Sequence, residues 1–563
     1  MFRARQYAIF VILAVIFLSL FLRLCYLQIL NHTRFREMAD EQHNTVFRIE
    51  PVRGTIYDRR MEPLAINLDT PSIYADPRSI RDKERTARAL SDAAGIDENI
   101  LFERLKKDKA FIWVKRRVTP EEAQEVKKMG LTGVHLASES RRFYPNDALA
   151  AHMIGFAGVD NNGLEGLELL FNDTLSGGAG YRHFVRDARL TPILFNEEGS
   201  FPAENGSNVI LTVDSVIQCI VEEEIEEMVG RADAREASVI VMEPSTGKIL
   251  ALANYPKYDL NDFAGSPAVS RKDAAISNVF EPGSVFKIVT ASAALNEGVC
   301  TTEDVFDCEN GKYAIGGRVL HDYHPYGKLS FSEVISKSSN IGTSKIAREL
   351  GKKKLYEYIR AFGCGEDTGI DLPGEVPGIS RPPEVWAKSD MTTIPIGQGI
   401  AVTPIQLACI VSVIANNGYL MKPYVVEKIT TWGGETIREN APFVRRRVLT
   451  DETCRRMREI MGDVVETGTG RRARSKLYAM CGKTGTAQMV NPTGGYYDDR
   501  YYATFIGFAP KEDPKISVIV VAGDPRKMHF GGTVAAPAFK NIAEKTLQYM
   551  GTEAFVRQEE NGR

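Results

Sequence analysis

The sequence predicts an α+β architecture with one membrane anchor. Three observations carry this reading: a single long apolar segment at the N-terminus, two short-strand regions flanking a helical stretch, and a change in texture near Gly206. The chain has 563 residues, 44% hydrophobic and 25% charged, with a net charge of −3. That length predicts two or three domains, and that composition excludes a mainly disordered chain. Near-neutral charge argues against a nucleic-acid-binding chain. A mean hydropathy of −0.20 argues against a polytopic membrane protein.

Tyr7 to Leu22 carries no charge, and apolar character resumes after Arg23. About 20 such residues cross a bilayer as a helix, and an arginine near one end reaches the interface. Bulky residues follow where a cleaved signal peptide would carry a small-x-small site. Residues 7–30 therefore read as a retained single-pass anchor. Arg3 and Arg5 keep residues 1–6 as a cytoplasmic tail and send the rest across the inner membrane, to its periplasmic or extracellular side.

Residues 31–205 read as an elongated pedestal. Residues 33–50 are polar and predict a juxtamembrane helix. Arg53 to Pro77 predicts strands and turns broken by Gly54, Pro63 and Pro71, residues 81–130 surface helices, and residues 141–200 short strands with Gly-rich turns. No dense apolar core and no catalytic cluster is evident there.

Residues 206–550 read as the main domain, and 551–563 as a polar tail. NVILTVD predicts a strand. VIQCIVEEEIEEMV predicts a helix whose acidic run is its solvated face. ASVIVMEPSTGKILALANY predicts an antiparallel hairpin. Strands around Lys483, Phe505 and Val520 and a closing helix complete a sheet that draws strands from both ends, with a helical insert between. Most of the eight cysteines read as small apolar core residues, Cys219 and Cys409 among them; only Cys300 and Cys308 lie close enough to suggest a local disulfide.

Within this domain Pro282 and Gly283 break the chain, and Ser284 opens an apolar-periodic helix. Lys287, one turn along, has an amine within reach of the serine hydroxyl. A serine needs a base to become a nucleophile, and a lysine serves only if its pKa is lowered. The motif is short, and Ser245 to Lys248 repeats it, there in a hairpin turn with a solvated lysine. Two further elements select Ser284: Ser338-x-Asn340 at a helix start, also readable as an N-cap, and Lys483-Thr484-Gly485-Thr486 in an alternating strand, where the small Gly leaves room for a ligand. Ser338 follows Ser284 by 54 residues and Lys483 follows Ser338 by 145.

Ser-x-x-Lys, Ser-x-Asn and Lys-Thr-Gly in that order resemble the signature of penicillin-binding proteins and serine β-lactamases. RGTIYDR, RRFYPNDALAAHMIGFAGVDNNGLEGLE and GQGIAVTPIQLA extend the resemblance over residues 45–550, to the division-specific (FtsI-like) class B penicillin-binding proteins. This implies a central antiparallel sheet with helices on both faces, a helical subdomain and a pedestal. It implies a D,D-transpeptidase that takes peptidoglycan stem pentapeptides and β-lactams, requires no metal or cofactor, and works with a SEDS-family glycan polymerase and other division proteins. Ser284 would be the nucleophile and Lys287 the base, kept neutral by burial and Lys483. Ser338 would relay the proton, and Asn340 would hold Lys287 and the substrate amide. Thr484 and Thr486 would bind the substrate carboxylate beside Lys483 and Gly485, and the N–H groups of Ser284 and Thr486 would form an oxyanion hole. A β-lactamase would share the motifs without the pedestal. His321 and His324, with Asp304, Asp307 and Cys308 upstream, hold potential zinc ligands but sit in a Gly- and Pro-rich loop that reads as shaping the cleft mouth.

Overall fold

The computed structural model describes residues 2–186, 192–315 and 318–554. Its packing separates two compact units, residues 1–53 with 176–206, and residues 54–175 with 207–563. The polar tail beyond 554 lies outside the described residues.

In the first unit, one apolar helical span runs Phe2–Leu30, with a mean hydropathy of 2.8 and no residue buried. It begins at Phe2 and so absorbs the predicted tail; its last five residues, Tyr26–Leu30, are π-helical. The juxtamembrane helix His32–His43 is shorter than predicted. Asn44–Ile49 is a strand, which pairs with Gly180–Arg186 and through it with Pro192–Phe201.

The second unit is built on two sheets. One is antiparallel, ordered Ile249–Tyr255, Glu236–Met242, Ile516–Gly523, Tyr496–Ala509, Cys481–Val490. Its middle strand Ile516–Gly523 is buried throughout because both faces are covered. Val239, Val241, Val518 and Val520 face the helices Ser215–Ala232 and Gly531–Tyr549; Ile240, Met242, Ile519 and Val521 face the insert. There the helix Pro404–Ala415 is buried along its whole length. A capping box starts it: Thr403 accepts from Gln406 N while the Gln406 side chain accepts from Thr403 N, which accounts for the Thr-Pro-x-Gln sequence.

The second sheet runs Thr436–Glu439, Val426–Thr430, Asn208–Leu211, Ile56–Tyr57, Pro63–Ala75, Ile112–Lys115, with Val134–Phe143 also on Pro63–Ala75. Asn208–Leu211 therefore belongs here and not to the central sheet. Pro71, read as a break, lies inside a strand. Three short helices, Ala151–Ile154, Gly166–Leu170 and Asn172–Ser176, replace predicted strands. A compact core around Ile73, Leu90, Leu101, Leu105 and Val114, formed against the helices Lys83–Ala94, Glu98–Leu105 and Pro120–Met129, corrects the reading that this region lacks one.

The acidic helix also differs from its reading. Glu224 is buried and accepts from Asn541 and Lys545, fastening the closing helix, while Cys219 is exposed. Cys300 and Cys308 are both buried free thiols. Lys248 pairs with Glu427 at 2.6 Å instead of standing in solvent.

Two sequence motifs prove to be structural clasps. Asp58 of RGTIYDR accepts from Arg60 N and Glu62 N, and its other oxygen from the Ser215 hydroxyl at 2.7 Å. Arg142 and Glu168 form a buried ion pair at 2.5 Å, and Arg142 also donates to the Gly54 carbonyl at 2.7 Å. Removing one member of a buried pair strands the other charge in a low-dielectric interior. Glu168→Ala is expected to destabilise the chain by about 3–5 kcal/mol, read as a lowered thermal unfolding midpoint.

Candidate active site

Ser284 lies in the 3₁₀ turn Gly283–Phe286, which feeds the helix Lys287–Asn296. Its side chain is half-buried, whereas Lys287 to Leu295 are all buried. The turn is held from two sides by glycines. Gly397, at φ +83°, approaches so closely that a Cβ there would lie 2.2 Å from the Gly283 carbonyl oxygen, and Gly283 N donates to Gly397 O at 3.0 Å. On the other side a Cβ on Gly485 would lie 2.9 Å from Val285 Cγ1 and 3.1 Å from the Pro282 carbonyl oxygen. Gly485 thus makes room for the nucleophile's turn rather than for a ligand.

Lys287 is hydrogen-bonded to the Ser338–Asn340 segment. Its Nζ donates to the Ser338 carbonyl at 2.7 Å and to Asn340 Oδ1 at 2.7 Å, and lies 3.1 Å from Ser338 Oγ. Catalytic hydrogen bonds are often absent from the unliganded state and form with substrate. Lys483 comes from the opposite side, from the edge strand Cys481–Val490, and its Nζ is 3.0 Å from the same Ser338 Oγ. Both lysines are fully buried.

Burial disfavours the charged ammonium and pulls Lys287 down to about 7, against the Asp322 carboxylate, which raises it. Burial also pulls Lys483 well below the usual lysine range, with repulsion from Lys287 adding to it. Of the two causes expected to keep Lys287 neutral, burial and Lys483, burial acts on Lys287, and the repulsion is felt at Lys483. A neutral Lys287 keeps two N–H donors for Ser338 O and Asn340 Oδ1 and one lone pair for a proton.

Ser338 takes a left-handed backbone, φ +61°, which an L-residue other than Gly adopts only when its surroundings hold it there. Neither Ser338 nor Asn340 is the helix cap. That role falls to Ser339, whose hydroxyl accepts from Gly342 N, leaving its neighbours to reach into the site. Asn340 Nδ2 donates to the His321 carbonyl at 2.8 Å. Of the two threonines, Thr484 is buried with its hydroxyl 2.7 Å from that of Thr469. Thr486 is half-buried, and its hydroxyl accepts from Gly531 N at 3.1 Å.

Three groups escaped the sequence reading. Glu281, half-buried, accepts from Gly399 N at 2.8 Å and from the Tyr496 hydroxyl at 2.9 Å, and burial raises its carboxyl. Thr469 backs Thr484. Asp322, in the loop taken for a cleft mouth, is bonded to the start of the helix Asn340–Leu350. Among the described residues, no group of three or more His, Cys, Asp or Glu is disposed to hold a metal ion. A Glu three residues before the serine and an Asp beside a His were visible in the sequence, but nothing in their spacing tied them to it.

Residues 237–544 match the penicillin binding protein transpeptidase domain, and residues 48–211 the penicillin-binding protein dimerisation domain. The chain is 34% identical to stage V sporulation protein D of Bacillus subtilis over 98% of its own length and 86% of that protein's. It is 32% identical to the peptidoglycan D,D-transpeptidase FtsI of Escherichia coli over 94% and 89% of the two chains. The crystal structure of a mycobacterial penicillin binding protein 3 complexed with aztreonam is 28% identical and matches with a TM-score of 0.71, covering 90% of this chain and 98% of that one. With a dimerisation domain ahead of a transpeptidase domain, and the Ser284, Ser338 and Lys483 motifs gathered at one site, the chain belongs to the penicillin-binding proteins.

Proposed function

We propose that this chain is a membrane-anchored, serine-type peptidoglycan D,D-transpeptidase that cross-links stem peptides through an acyl-enzyme and is acylated by β-lactams. The observation that carries the reading is the convergence of two buried lysines on the Ser338 hydroxyl, one turn from Ser284. Ser284 Oγ attacks the carbonyl carbon of the penultimate D-Ala, and its proton passes to Lys287. The amide C–N bond breaks, the departing D-Ala amine takes a proton relayed through Ser338, and an ester to Ser284 remains. An amine of a second stem then attacks the ester, and Ser284 regains its proton.

Lys287, Ser338 and Asn340 form the proton-handling side. Lys483, Thr484 and Thr486 form the side that meets the substrate carboxylate, the two threonines sharing one face of the strand. The N–H groups of Ser284 and Thr486 serve as the oxyanion hole, where each donor is worth about 3–4 kcal/mol. Pedestal residues 31–205 and catalytic residues 206–550 sit outside the membrane, with the N-terminus in the cytoplasm. The anchor and pedestal would meet the glycan polymerase and other division proteins.

The likeness to FtsI supports septal wall synthesis; the similar identity to a sporulation protein supports a second reading, wall synthesis in the forming spore. Localisation of a tagged chain at the division septum or at the forespore separates them.

Ser284→Ala is expected to abolish covalent labelling by a fluorescent penicillin while membrane insertion persists; surviving labelling would remove Ser284 and turn attention to Ser245. Lys287 is the base in its neutral form, so its active fraction grows as pH rises through its folded-state value. Acylation should therefore fall about tenfold per pH unit below an apparent value near 7, a value shared with Lys483, and a profile flat down to about pH 5 would sink this role. Gly485→Ala should slow acylation at least about 100-fold by displacing the Ser284 turn, measured as the second-order rate constant with penicillin.

A further inference from the structure

The Asp322 carboxylate sits at the N-terminus of the eleven-residue helix Asn340–Leu350. Its Oδ1 accepts from the backbone N–H of Asn340 at 2.5 Å and of Ile341 at 3.0 Å. Its Oδ2 accepts from the Ser339 hydroxyl at 2.6 Å. Every one of these donors lies within three residues of Ser338. The preceding residue adds a fourth tie, since the His321 carbonyl accepts from Asn340 Nδ2. Asn340 Oδ1 in turn receives Lys287, so a chain of hydrogen bonds runs from Asp322 to the amine.

We propose that Asp322 is a positioning residue for acylation: it pins the Ser338–Asn340 segment in its strained conformation and supplies the negative charge that faces Lys287. This rests on the catalytic roles proposed above for Ser284 and Lys287, and adds to them a group that never touches substrate.

Two physical arguments support it. Ser338 keeps φ +61°, a conformation that an L-residue holds only under constraint, so its neighbours must be held on both sides. Asp322 holds the C-terminal side through three donors at once, and a carboxylate at a helix N-terminus is favoured by the unpaired N–H groups there. The second argument is electrostatic. Burial lowers Lys287, and Asp322 is the carboxylate that opposes this.

The other titratable groups around the pair are Lys483 from the edge strand, the Cys308 thiol, the Tyr326 hydroxyl, and Lys345, which pairs with Glu309 at 2.7 Å. Cys308 and Tyr326 are both pushed up, chiefly by burial, and so stay neutral near pH 7. Lys483 is a potential second cation. Asp322 is thus the anion that favours the proton on Lys287.

The test is the pH dependence of acylation of the full-length chain by a fluorescent penicillin, between about pH 5 and 9, for the wild type, Asp322→Asn and Asp322→Glu. Without the anion, protonated Lys287 is less favoured. The acid limb of Asp322→Asn should therefore move to lower pH, by about half a unit or more, with a loss of amplitude from the Ser339 hydrogen bond it no longer accepts. Asp322→Glu keeps the charge but shifts it by one methylene; its limb should stay at the wild-type pH while its amplitude falls at least about tenfold. A limb that stays put or moves up in Asp322→Asn overturns the charge role, and full amplitude in Asp322→Glu overturns the positioning role even if Asp322→Asn does not fold. Ser284→Ala run alongside separates the two readings: labelling that survives there defeats the nucleophile assignment, whereas its loss with unchanged Asp322 variants defeats this inference alone.

Discussion

Two ammonium groups cannot both stay charged in a dry interior while sharing one hydroxyl, and the site of this protein is organised around that constraint. Lys287 and Lys483 approach Ser338 Oγ from a buried helix and a sheet edge, at 3.1 and 3.0 Å. Burial removes the water that would otherwise stabilise the charges, so the pair titrates as a unit and a free amine exists near neutral pH. The surroundings follow from keeping those two side chains in place: a helix buried from Lys287 to Leu295, a sheet covered on both faces, and a serine held with a left-handed backbone.

The second sheet serves the rest of the molecule. Asn208–Leu211 pairs in parallel with Ile56–Tyr57 and antiparallel with Val426–Thr430, so strands from the dimerisation region and from the catalytic region share one sheet. Asp58 and Arg60 then clasp the start of the helix Ser215–Ala232, through Ser215 and Asp214. The RGTIYDR sequence is therefore a joint, and its Asp58 carboxylate is spent on turn and helix N–H groups rather than on chemistry.

Much of this was legible in the sequence because the periods are strong. The hairpin Glu236–Tyr255, the three strands from Cys481 to Gly523 and the closing helix follow from period-2 and period-3.6 apolar patterns. The Ser284, Ser338 and Lys483 motifs were legible because their order is specific. What escaped depends on partners distant in sequence. Asn44–Ile49 ends a charged stretch that reads as helix, and it is a strand whose partner, Gly180–Arg186, lies far along the chain. Glu224 looked solvated on its own helix and is buried by Lys545, 321 residues away. Thr469, whose hydroxyl meets that of Thr484, comes from a separate loop, and alternation says which residues share a face but not what lies opposite. Asp322 works through backbone N–H groups, which carry no residue code.

The meeting of Gly283, Gly397 and Gly485 around the nucleophile has a thermodynamic meaning. Gly397 meets Gly283 main chain to main chain, and the side chains that close the turn, Val285 and Ala487, are short and stiff. The position of Ser284 is settled when the chain folds, and an arriving peptide finds no torsional freedom in that turn left to quench. The entropy that many sites surrender at encounter is absent from this one, and a larger share of binding free energy is left to act on the scissile bond.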